Sequence, residues 1–119
     1  TSVRAFVHIK DVAKASLSIL HDAPIGSSWH ISSNEGYTIK NIVEKICELT
    51  NADFSKIVKM DNERLGKDQT YLLDSTSLRK EFGWSEEYSL EKGLIDTIKW
   101  ISENLNLLKN LDWNYIHKI

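Results

Sequence analysis

The chain has little of several things that usually announce a function. A single cysteine, Cys47, among 119 residues cannot close an internal disulfide. That excludes a disulfide-framed scaffold and is compatible with a reducing cytoplasm. One proline and five glycines leave no Pro- or Gly-rich tract to serve as a linker, and there is no internal repeat or low-complexity segment. The apolar runs are only a few residues long, so no membrane span is expected. No charged start followed by an apolar stretch and a small-residue cleavage site marks secretion. Nor is there an excess of either charge. Fifteen basic side chains against seventeen acidic give a net −2, which offers nucleic acid no basic patch to bind.

What is present is an ordinary globular composition, 41% apolar and 27% charged, enough for one small core. Arg4 to Lys10 alternates and reads as a strand. Asp11 then offers a side-chain oxygen to cap a helix carrying Val12, Ala15, Leu17, Ile19 and Leu20, which ends at Pro24 and Gly26. Ser27 to Ser32, centred on Trp29 and Ile31, reads as a second strand, followed by a turn at Asn34-Glu35-Gly36. Thr38 caps a helix whose Ile39, Ile42, Val43 and Ile46 share one face, with Cys47 a buried thiol beside it. Ile57 to Met60 and Thr70 to Leu73 read as further strands. Asp74 or Ser75 caps a short helix on Leu78 and Phe82, closed by Gly83. From Ser89 the longest helix carries a seam of Leu90, Leu94, Ile98, Ile101, Leu105 and Leu108. The expectation is an α+β fold: a single small domain over residues 1–119 of short strands and about four helices, with 105–119 as a C-terminal extension. Opening on Thr1 rather than Met, the chain reads as a fragment.

The means of catalysis are scarce. No Gly-x-Gly-x-x-Gly or Walker-type loop is present to cradle phosphates. The four histidines, His8, His21, His30 and His117, lack the spacing of metal ligands. What remains are groups suited to an anion. The planar fork of arginine matches phosphate oxygens two at a time, and there are three: Arg4, Arg64 and Arg79. Arg4 as a surface charge or a partner of Asp11, Arg64 as a solvated loop charge, and Arg79 as a solvated helix charge are the competing structural readings. Thr38 is fully explained as a cap, and Tyr71 and Trp84 are either core or stacking surfaces.

In order and spacing, Arg4-Ala5-Phe6-Val7-His8-Ile9-Lys10-Asp11, Glu63-Arg64-Leu65-Gly66-Lys67-Asp68, Tyr71-Leu72-Leu73-Asp74 and Leu78-Arg79-Lys80-Glu81-Phe82-Gly83-Trp84 resemble the C-terminal, substrate-binding part of extended short-chain dehydrogenase/reductase enzymes. These are the NAD-dependent nucleotide-sugar epimerases and 4,6-dehydratases. The resemblance runs from about Ser2 to about Asn104. Two departures stand out: Leu65 replaces the family proline, and His30-Ile31-Ser32-Ser33 replaces the usual Gly-rich turn after the second strand. The family Tyr-x-x-x-Lys pair is met in spacing only by Tyr88 and Lys92, at the start of a helix and without a nucleotide fold before it.

The resemblance implies that Arg4 contacts the nucleotide part of a nucleoside-diphosphate sugar. It likewise implies that Arg64 reaches the diphosphate and that Thr38 contacts substrate at the head of its helix. It implies no catalytic residue, metal or cofactor site in this chain. NAD and the chemistry would belong to a Rossmann domain not contained in it, and the location would be cytoplasmic. Two alternatives stand beside this reading. One is a stand-alone nucleotide-diphosphate binding module. The other is a small interaction domain using the Leu90–Leu108 helix, self-associating as a homo-oligomer.

Overall fold

The structure, a computed structural model, describes residues 2–59 and 68–112. A three-stranded sheet carries β1 (Val3–Ala5) in the centre, β2 (Gly36–Thr38) antiparallel on one side and β3 (Thr70–Tyr71) parallel on the other. Helix α1 (Ile9–Asp22) follows β1, and α2 (Ile39–Thr50) follows β2 directly. Short α3 (Phe54–Ile57) leads away from α2, α4 (Thr76–Phe82) follows β3, and α5 (Leu90–Glu103) and α6 (Leu105–Leu108) close the described chain. The α+β expectation holds, with two four-residue helices beyond the four that periodicity marks out. The seam assigned to one long helix is divided at Asn104, and its Ile101 and Leu105 are exposed.

Helix ends follow local chemistry. The Thr38 hydroxyl accepts the Asn41 N–H while Asn41 Oδ1 accepts the Thr38 N–H, a reciprocal cap. Ser89 accepts the Lys92 N–H at the head of α5, and Gly83 closes α4 in the left-handed region, at φ 60°. Asp74 Oδ1 accepts the Thr76 N–H, so of the two candidate caps of α4 it is Asp74 that bonds.

Several local expectations are overturned. The first strand stops at Ala5, and α1 is capped by His8, whose ring accepts the Lys10 N–H, rather than by Asp11. Residues 27–32 form no strand. Trp29 and Ile31 pack against the core instead, Trp29 edge-on to Phe82 with ring centroids 4.8 Å apart. Gly36, expected in a turn, lies in β2 opposite Ala5. Its α-carbon faces Val3, where a methyl group would come within 2.8 Å of Val3 Cγ1. Ile57 ends α3 and Val58 caps it, so no strand forms there, and Met60 lies outside the described residues. Leu72 and Leu73 follow β3 without joining it.

The core is small. Ala15 of α1, Leu78 of α4 and Trp84 are buried together, flanked by Val7, Ile19, Trp29, Ile31 and Phe82. Cys47 is buried on α2 as expected. Two polar groups tie this core together. Asp11, 0% exposed, accepts the backbone N–H groups of Glu87 and Tyr88, each at 3.1 Å, while its carbonyl accepts the Trp84 indole N–H at 3.0 Å. The 84–88 segment is thereby fastened to the first turn of α1.

Arg79, expected as a solvated charge, is instead a hub. Its fork grips Glu86 at 2.6 and 2.8 Å, and it also donates to Ser32 O and Ser75 Oγ while lying 4.8 Å over the Trp84 ring. A planar five-donor group can serve four partners at once, which no spacing pattern in the sequence announces.

Candidate functional site

The site is built on the central strand. Residues directly opposite one another in a sheet share a face, and Arg4 is paired with Tyr37 on β2 and with Tyr71 on β3. Arg4 therefore lies in register between Tyr37 and Tyr71 across the sheet, with Val3, Ala5 and Gly36 on the reverse face. Arg4 donates to its neighbour Val3 O at 2.7 Å and to Asp68 O at 3.0 Å, and its Cζ lies 6.0 Å from the Tyr71 ring centre. Among the described residues both hydrogen-bond partners are backbone carbonyls. No carboxylate there neutralises the charge, and the proposed pairing with Asp11 does not form because Asp11 serves the 87–88 backbone. Tyr71 is 54% exposed and is not core, whereas Trp84 is.

Arg64 lies outside the described residues. Asp68, whose carbonyl receives the Arg4 side chain, is the first described residue after that segment. The Thr38 hydroxyl is occupied: it accepts from the Asn41 N–H and donates to Asn41 Oδ1 at 2.6 Å. What Thr38 sets directly is the position of the α2 N-terminus, one residue from the strand pair beside Arg4.

An open cleft of about 1080 Å³ adjoins Tyr37 and is lined further by Phe6, Asn41, Lys45 and the 86–91 segment. Its charges are already matched. Tyr37 donates to Glu35, which with partial burial pushes the phenol pKa up. Arg79 holds the Glu86 carboxyl below its ordinary value, Lys14 pairs with Glu87, and Lys45 pairs with Glu48 and Glu91. Arg4, which is not among the residues lining this cleft, has no carboxylate partner among the described residues, and an anion is what such a group can hold. Sequence reasoning missed Tyr37 as the neighbour of Arg4, because only the register of the sheet brings positions 4, 37 and 71 into line.

Similarity to known proteins now bears on this geometry. No family model matches the chain. It is 33% identical over 104 residues to a trifunctional UDP-glucose 4,6-dehydratase/UDP-4-keto-6-deoxy-D-glucose 3,5-epimerase/UDP-4-keto-L-rhamnose-reductase of Arabidopsis thaliana, covering 87% of this chain and 15% of that protein. Among solved structures it superposes on dTDP-glucose 4,6-dehydratase from Bacillus anthracis in complex with NAD, with a TM-score of 0.84 and 28% identity, over 93% of this chain and 35% of the other. It also superposes on the dTDP-glucose 4,6-dehydratase DesIV from Streptomyces venezuelae with NAD and TYD bound, with a TM-score of 0.82 and 27% identity, over 89% and 33%.

The fold is that of one part of an extended short-chain dehydrogenase/reductase enzyme. Within that class the chain is a homologue of nucleotide-sugar 4,6-dehydratases, with dTDP-glucose 4,6-dehydratase among its relatives, and it spans only 15–35% of the length of the proteins cited.

Proposed function

We propose that this chain is the nucleoside-diphosphate-sugar-binding part of an NAD-dependent nucleotide-sugar 4,6-dehydratase or epimerase, with Arg4 and Arg64 as its anion clamp. The observation that carries the reading is the state of Arg4. Among the described residues it is held at the centre of the sheet by two backbone carbonyls, those of Val3 and Asp68, beside an exposed tyrosine. Two donors are engaged and three remain for phosphate oxygens. Tyr71 offers a ring for the nucleoside, and Thr38 contributes by fixing the start of α2 beside the clamp. Held this way, the diphosphate supplies remote binding energy that aligns the sugar for chemistry elsewhere.

That chemistry lies with a partner domain in this reading. The phosphates of a dinucleotide rest on a glycine-rich turn at a helix start. None of the helix starts described here carries one, so the residues present do not fit NAD. A Rossmann domain bringing NAD and the catalytic groups would cover apolar surface such as Ile9, Leu17 and Leu20, which recur along one face of α1 and are 71%, 56% and 77% exposed.

Calorimetric titration of the chain with thymidine or uridine diphosphate tests the clamp. Arg4→Ala and Arg64→Ala should each weaken affinity about 10- to 100-fold, the worth of charge-assisted bonds to phosphate. In the complete enzyme the loss should appear in KM more than in kcat. Affinity unchanged in both variants would refute the clamp. A second reading rests on exposed Trp100, Ile101, Leu105 and Leu107 on α5 and α6, which suit self-association. A sedimentation experiment showing dimers that dissociate on Trp100→Lys would favour it.

A further inference from the structure

We propose that His8 is a proton-controlled latch where α1, α5 and the 84–89 segment meet. Its Nδ1 accepts the Lys10 N–H at 3.4 Å and so caps α1. That bond requires Nδ1 to be bare, which places the proton of the neutral ring on Nε2. Nε2 lies 3.3 Å from Asp96 Oδ2, and the side chain is 8% exposed. The ring stacks on Tyr88, with centroids 4.1 Å apart and planes 15° from parallel. Gly93 of α5 lies against its edge, where a methyl group would sit 3.4 Å from Cδ2.

Charged and titratable groups surround it from each element. From α1, Lys10 reaches both the Tyr88 hydroxyl and Asp96, each at 3.2 Å, and Asp11 holds the Glu87 and Tyr88 backbone. From α5, Lys92 lies 4.3 Å over the Tyr88 ring, and Lys99 and Glu103 share with His8 and Asp96 a cleft of about 480 Å³.

A second proton must go to Nδ1. It turns the cap's acceptor into a donor pointed at the Lys10 N–H, so the cap is lost, while the imidazolium binds Asp96 more strongly. The ring gives up the Lys10 amide, is drawn harder to Asp96 and moves relative to Tyr88, which lines the larger cleft beside the candidate site. One proton is thereby read out both at the start of α1 and at the cleft wall.

Nitrogen-15 NMR of the imidazoles in the intact chain tests this directly. Neutral His8 should show a bare Nδ1 and a protonated Nε2. The Lys10 amide and the Tyr88 ring should shift together with the His8 imidazole as it takes up its second proton. Exchange protection of the Lys10 amide should fall roughly fivefold across that titration, the worth of a helix cap. His8→Asn, which caps without titrating, should fold normally and abolish the coupled shifts. A neutral ring carrying its proton on Nδ1 would overturn the latch. So would a Lys10 amide flat through the titration of His8, or a Tyr88 titration that survives in His8→Asn.

Discussion

Replacing Asp11 by alanine separates two roles that the sequence alone does not distinguish. Were Asp11 an N-cap, its loss would cost about 1 kcal/mol. In the structure it is fully buried and its carboxylate accepts two backbone N–H groups, from Glu87 and Tyr88, at 3.1 Å each. Bonds to a charged acceptor are worth about 1.5–3 kcal/mol each. The 87–88 segment is partly open to water, which can rescue part of that loss, so the low end applies to both bonds and the total is about 3 kcal/mol. In a domain of this size that lowers Tm by about 10–15 °C. Asp11→Asn keeps one acceptor oxygen and sets an amide donor against the other N–H, so it should lose more than half as much. Urea denaturation followed by circular dichroism gives the free energies. A loss of 1 kcal/mol or less in Asp11→Ala, or wild-type stability in Asp11→Asn, would show that the bonds to the 87–88 backbone do not hold this segment in place.

The remaining predictions concern the Arg79 hub and the sheet. Arg79 lowers the pKa of Glu86 in the folded state from an ordinary 4.5. The pair's contribution is therefore complete above that value and is lost as pH falls through the lower folded value. Glu86→Gln should flatten the acid limb of a stability–pH profile measured by urea titration, and an unchanged limb would refute the pairing. Arg79→Met should cost about 2 kcal/mol in the same assay, since it leaves a partly buried carboxylate and the Ser32 carbonyl without their donor. Gly36→Ala places a methyl group 2.8 Å from Val3 Cγ1 and 3.1 Å from Leu72. It should destabilise the chain by about 1–3 kcal/mol, and a neutral effect in thermal melts would mean that β1 and β2 separate without cost.

Legibility in the sequence followed the range of the interactions. The α2 face through Ile42, Val43 and Ile46, the caps at Thr38 and Ser89, and the left-handed Gly83 depend on neighbours within four residues and were readable, whereas Ile39 and Ile101, expected on the packed faces of α2 and α5, are exposed. The strand expected at Ser27–Ser32 failed because an alternating pattern does not provide a partner strand, and the core took Trp29 and Ile31 as side chains alone. Arg79 failed for the opposite reason. A charged residue between Leu78 and Lys80 looks solvated until the chain folds back to bring Ser32 and Glu86 to it. At the candidate site, Arg4 and Arg64 were singled out by a resemblance carried in ordered motifs. The flanking of Arg4 by Tyr37 and Tyr71 was not, because strand register is set by contacts more than thirty residues apart.

The sequence by itself determined the composition of a small α+β domain, the positions of most helices, and the absence of a glycine-rich nucleotide loop. These are properties of local pattern, written within a few residues. Only the tertiary structure decided that Asp11 fastens a distant segment rather than capping its own helix and that His8 takes the cap. It also decided that Arg4 stands between two tyrosines with carbonyls as its partners. Those outcomes turn on which groups lose water together on folding, and that is settled by the arrangement of the whole chain.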